Sequence, residues 1–289
     1  MCRNVGVGTR NMASAGRILL NGEVLRKNLS YLSVDSVDKA WSKFADYARN
    51  LGVRRLEHVT FELLVQYGKE LAKQVEEKIY TAGYAQRLIS AVNTVMRLAK
   101  PEWRSVKAVS DCGVARRVAV RKHAPTGIDA TEIQQVVQNL TTSSLVVAAA
   151  VVMLCWSFGL RLKEAALLNA NKALVQALKK GFIAVTLGTK GGRKRVIKLY
   201  HSHQFDALEA ASKVQSQGSS VIPAEIDWRS FRQSELYRAR KTLKSGGIIK
   251  FHDLRAAYAC RRYQELTGYP APVICGKIVN KEQDRFQEK

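Results

Sequence analysis

Three places in this sequence set charged side chains where a break or a turn would hold them. Arg161 follows Gly159 directly after the apolar run 145–158, LVVAAAVVMLCWSF. Lys190 precedes Gly191-Gly192 between two stretches rich in apolar and β-branched residues. His252 and Arg255 stand one helical turn apart in FHDLRAAYACRRYQELTG. Arginine presents a planar fork of donors suited to phosphate, and a mount between two rigid elements makes that fork geometrically exacting. Plainer alternatives stay open at each position. Arg161 can be a solvent-facing residue after a helix break, Lys190 a turn residue that favours water, and His252 a helix-start residue bonded to nearby backbone. Glu164, three residues after Arg161, shares its helix face and can orient its guanidinium or be an ordinary surface acid.

The charge balance says what such groups would meet. The 289 residues carry 47 lysines and arginines against 24 acids, a formal charge of +23. That excess calls for a polyanion, with nucleic acid ahead of an anionic membrane surface, since no lone basic amphipathic helix is visible. The cysteines Cys2, Cys112, Cys155, Cys260 and Cys275 are odd in number and lack metal-ligand spacing, which points to a reducing compartment. The acids nowhere cluster as a two-metal nuclease needs, so no metal or other cofactor is expected. The first twenty residues contain no continuous apolar segment of the secretory type, so a cytoplasmic location is expected.

The elements that must position these groups form a mainly α chain of two domains. Residues 1–30 are small, polar and basic and read as a mobile tail that either orders on DNA or stays disordered. A small helical domain, residues 31–103, follows. Val37, Ala40, Trp41, Phe44, Ala45 and Ala48 step by three and four, with Asp35 or Ser36 as the expected cap and Gly52 beyond the end. Thr60 and Thr81 are placed to cap two further helices, and Pro101 to stop the last. Residues 104–125 break the periodicity. There Arg104, Lys107, Arg116, Arg117, Arg121 and Lys122 suggest either a solvated connector or a strap along a phosphate backbone. Residues 126–289 form the second domain, mixed but mostly helical. It has a helix start at Asp129, the buried apolar helix, a small antiparallel hairpin (181–188 and 193–200) turning at Lys190–Gly192, a helix over 204–214, a long basic helix over 228–244 and a last helix over 252–267. The apolar run is too short to span a bilayer.

The order of the three charged features resembles the tyrosine recombinases, the phage-type integrases. SFGLRLKEAALL is similar to that family's first arginine box, LGTKGGRKRVIKL to its lysine hairpin and FHDLRAAYA to its second arginine box. The likeness covers about residues 125–268. The first domain resembles the family's core-binding domain, and SAVNTVM, residues 90–96, the version carried by integrating conjugative elements and genomic islands. The resemblance implies a bacterial or mobile-element integrase acting on double-stranded DNA as a tetramer, without membrane association and located with the nucleoid. It implies that Arg161 and Arg255 neutralise the scissile phosphate, that Lys190 protonates the leaving 5′ oxygen and that His252 assists proton transfer or holds the phosphate, with Glu164 in support. Arg193, Arg238 and Lys241 join the basic residues 104–122 as expected DNA contacts.

One family part is missing. The attacking tyrosine, which forms a 3′-phosphotyrosyl intermediate, lies downstream of the second arginine box, after a leucine-glycine-histidine type segment. No such segment follows Arg255, where the tyrosines are Tyr258, Tyr263 and Tyr269. Tyr258 and Tyr263 fall on the helix of Arg255, and Tyr269 comes too early. The expectation is a catalytic domain incomplete at its C-terminus and inactive in cleavage. A non-catalytic or decayed relative that only binds DNA is the alternative. An RNA-binding protein is a third class, disfavoured because no aromatic strand module for stacking bases is visible.

Overall fold

The structure, a computed structural model, describes residues 3–118, 120–215 and 217–276. It divides into two compact units between Val120 and Arg121.

The first unit is built on α1 (Met12–Leu25), α2 (Tyr31–Asn50), α3 (Phe61–Glu76) and α4 (Ala82–Ala99). Thr60 and Thr81 cap α3 and α4, each accepting a hydrogen bond from the amide three residues on. The cap of α2 is Ser30, not Asp35 or Ser36, so this helix starts a turn and a half before its apolar stripe. Trp41, Phe44, Leu64, Leu88, Ile89 and Met96 fill the core.

Two expectations change here. Residues 1–30 are not a free tail throughout, because α1 packs on α2. The indole of Trp41 lies over Gly16, where a Cβ would stand 2.1 Å from its nitrogen, and donates to the carbonyl of Met12 at 3.2 Å. Arg17 pairs with the buried Asp38 at 2.6 Å. The buried face of α1 carries only two large apolar residues, Met12 and Leu20, beside Ala15, Gly16 and Glu23, which gives a weak apolar signal in sequence. Nor is the stretch after Pro101 a solvated connector from its start. Val106, Cys112 and Val114 are buried in the same core. The buried Asn93 side chain bonds both the amide and the carbonyl of Val106 and accepts from the indole of Trp103. A side-chain amide thus substitutes for a strand partner, and no periodicity announces that.

The second unit is arranged around α6 (Val146–Phe158), which is buried on nearly every side. Against it pack α5 (Ala130–Thr142), α7 (Leu162–Ala166), α9 (Ser202–Val214), α11 (Glu235–Ser245) and α12 (Phe251–Thr267). Between α7 and α9 come α8 (Ala170–Lys180) and an antiparallel hairpin, β1 (Phe182–Val185) with β2 (Arg195–Lys198), in the register Ile183 to Ile197. The basic helix expected over 228–244 is two helices, α10 (Trp228–Gln233) and α11, because Ser234 leaves helical geometry at φ −100°, ψ −89°. This break lets Glu235 turn back and accept from the amide of Ala148 near the start of α6, where no capping side chain exists. A short helix, α13 (Pro272–Cys275), follows α12. The polar segment 277–289, like Cys2, lies outside the described residues. No helix among the described residues is long and apolar enough to cross a membrane.

Candidate active site

The end of α6 sets the site. Gly159 closes the helix in the left-handed conformation (φ +60°), which is strained for any side chain, and the Tyr258 ring occupies the space a Cβ would need, 2.4 Å away. The chain then turns at once into α7, with Arg161 in the position preceding its first residue. Glu164, three residues on and fully buried, reaches back to the Arg161 amide at 2.7 Å and accepts from the Arg161 guanidinium at 2.8 Å. The sequence could leave Glu164 on the surface; the fold makes it the anionic centre of the site.

A second guanidinium closes on the same carboxylate. Arg195, from β2, donates bidentately to Glu164 at 2.7 and 2.5 Å. Burial alone would raise the Glu164 carboxyl, but hydrogen bonds from Arg195 and from the backbone and side chain of Arg161 outweigh it and hold the group at about 2. Arg255, on α12, completes the group. Its guanidinium donates to the carbonyl of Gly159. Burial, then the nearby charges of Arg161 and Arg195, push its pKa down from the ordinary arginine value. Two guanidinium groups therefore share one carboxylate and a third, Arg255, stands near them without an acid of its own, an imbalance that an incoming anion relieves.

Arg161, His252 and Arg255 line one cavity of about 710 Å³, over an apolar floor that includes Leu243 and Phe251. Its rim adds Lys163, Arg240, Lys244 and Lys250. His252 is exposed at the start of α12. Its neighbour Asp253 is buried and accepts from Thr126 and Arg121, both at 2.9 Å, which fixes the first turn of that helix. Arg121 is thus paired with an acid of its own unit while remaining exposed. Lys190 is exposed at the hairpin tip and is not among the residues lining the cavity. Arg104, Lys107, Arg116, Arg117, Lys122, Arg193, Arg238 and Lys241 are all exposed.

Sequence reasoning missed Arg195, Arg240 and Lys244. Along β2 the alternation places Arg195 and Ile197 inward and leaves Val196 59% exposed, so at the first two positions the basic residue turns in and the apolar one out, opposite to what their types suggest. On α11, Arg240 and Lys244 face the cavity, while Arg238 and Lys241, the residues the sequence favoured, do not line it. Their spacing of four, with Leu243 beside them, was the available signal. Among the described residues no group of three or more His, Cys, Asp or Glu is placed to hold a metal ion.

A family model described as Integrase matches residues 115–261, more than half of the chain and inclusive of Arg161, Glu164, Lys190, Arg195, His252 and Arg255. The chain belongs to the integrase family, the tyrosine recombinases that its two arginine boxes and lysine hairpin resemble. Among curated proteins, none matches the sequence. Solved structures share the fold at low identity. A lambda integrase tetramer bound to a Holliday junction is 15% identical, with 94% of this chain and 76% of that chain covered and a TM-score of 0.55. A lambda integrase dimer bound to a COC′ core site is 16% identical, with 94% and 96% covered and a TM-score of 0.57. The Tn1549 transposon integrase in complex with circular intermediate DNA is 11% identical, with 95% and 99% covered and a TM-score of 0.57.

Proposed function

We propose that this chain carries the DNA-gripping machinery of a site-specific recombinase, with a cavity that holds a backbone phosphate of duplex DNA. The observation that carries this is the convergence of Arg161, Arg255 and His252 on one basic cavity, with Glu164 holding Arg161 from behind. In strand cleavage a tyrosyl oxygen attacks phosphorus, the bond to the 5′ oxygen breaks, and that oxygen takes up a proton. Two guanidinium forks stabilise the charge that grows on the non-bridging oxygens. Lys190, carried to the DNA on its exposed tip, supplies the proton, and His252 assists at the phosphate. Arg104, Lys107, Arg116, Arg117, Lys122, Arg193, Arg238 and Lys241 contact the backbone further along the duplex. Strand exchange takes place in a tetramer, as the junction-bound lambda integrase suggests.

None of Tyr258, Tyr263 and Tyr269 lines the cavity of Arg161, His252 and Arg255, and Tyr258 is wedged against Gly159 with its hydroxyl pKa raised by burial. That favours a second reading, in which the chain binds DNA without forming the covalent intermediate. A nicked suicide substrate on a denaturing gel tests both. The expected outcome is binding without a covalent band. A denaturant-resistant band lost in Tyr269→Phe, Tyr258→Phe or Tyr263→Phe would identify that residue as the nucleophile and overturn the second reading. Absence of any duplex binding would overturn the first.

A further inference from the structure

We propose that Arg195 is a positioning residue: by occupying the outer side of Glu164 it keeps half of the Arg161 fork free for phosphate and locks the Lys190 hairpin to the arginine box. The proposal rests on the phosphate-cavity reading above. A carboxylate offers about four acceptor sites. All four of those on Glu164 are filled, two by Arg195 and two by the amide and one guanidinium nitrogen of Arg161. Arg161 therefore spends one side-chain nitrogen on Glu164. Remove the Arg195 fork, and the buried carboxylate has two bare acceptor sites beside a second arginine. Arg161 then swings in to satisfy them bidentately and withdraws donors from the cavity.

The second observation is independent of the ion pair. On the other flank of the hairpin tip, Gly188 (φ +71°) lies so close to α7 that a Cβ would meet the Lys163 carbonyl oxygen at 2.7 Å. The tip is thus fastened to the arginine box on both sides, by a close backbone approach before Lys190 and by Arg195 after it. Arg195 does not line the cavity of Arg161 and His252, so its hold on Arg161 passes through Glu164; it also stands beside Arg255 in a smaller cavity, which is why the Arg161 signal is the one that reads the proposal.

The test follows guanidinium resonances of the full chain, labelled with ¹⁵N-arginine, as inorganic phosphate is added. Arg161→Lys and Arg255→Lys assign the two signals. In the wild type, phosphate is expected to shift both. In Arg195→Lys, which keeps the charge but loses the fork, the phosphate concentration that half-shifts Arg161 should rise on the order of tenfold. The same substitution made in a Glu164→Gln background should add nothing, a result that a merely stabilising arginine would not give. Should Arg195→Lys fail to fold, Arg195→Gln, which still donates to one carboxylate oxygen, carries the same comparison. An Arg161 response within twofold of wild type in the folded variant would overturn the role of Arg195 and leave the phosphate cavity standing. No response of Arg161 or Arg255 in the wild type would overturn the cavity reading, and this proposal with it.

Discussion

Glu164 and the two arginines it holds differ in what their loss should do. In Arg161→Ala the buried carboxylate keeps both bonds from Arg195, so the fold should persist while phosphate binding weakens by about 1.5–3 kcal/mol, the worth of a charge-assisted hydrogen bond. Arg255→Ala should lose similar affinity and also lower the melting temperature, because the Arg255 guanidinium holds the carbonyl of Gly159. Calorimetric titration beside thermal melts separates the two, and equal melting temperatures for the variants would contradict that difference. Glu164 also sets an acid limit. Its folded pKa, about 2, lies below the ordinary 4.5. Its charge therefore stabilises the fold fully above about pH 4.5, and that share is lost as pH falls through about 2. The unfolding free-energy gap between wild type and Glu164→Gln should be constant above about pH 5 and narrow below it; denaturant melts across that range measure it, and a gap independent of pH would contradict this account.

At the scale of elements, the junction between α6 and α7 is the most constrained point. Gly159→Ala should destabilise the second unit by about 1–3 kcal/mol, since it adds strain at positive φ and a clash with Tyr258. Chemical denaturation measures this, and a neutral result would show that the turn is looser than described. The apolar run, Gly159 and the three boxes were legible in sequence because their signals are local: a solid hydrophobic stretch, a glycine break, a hairpin turn. Helix α1 was not, since its buried face holds only two large apolar residues and turns a glycine, Gly16, against Trp41. The segment through Val106 and Val114 was not, since at Val106 it is held by one asparagine of the preceding helix, a side-chain bond that leaves no pattern in sequence. Arg195 was hidden because an inward arginine makes sense only beside the buried acid that the fold brings to it from thirty-one residues away. The break at Ser234 carries no glycine or proline to mark it.

Over the whole molecule, a charge of +23 must act on something, and exposed cations in both units are available to a phosphate backbone. The central claim is that the cavity of Arg161, His252 and Arg255 holds one of those phosphates. The most direct measurement is the affinity of the full chain for a duplex across a range of salt concentrations, for the wild type and for the Arg161→Ala, Arg255→Ala double variant. The logarithm of the wild-type association constant should fall steeply with the logarithm of salt, by roughly 0.9 for each phosphate contacted, and the double variant should bind more weakly with a slope shallower by about one such contact. A flat wild-type titration, or a double variant with the same affinity and slope as the wild type, would contradict it.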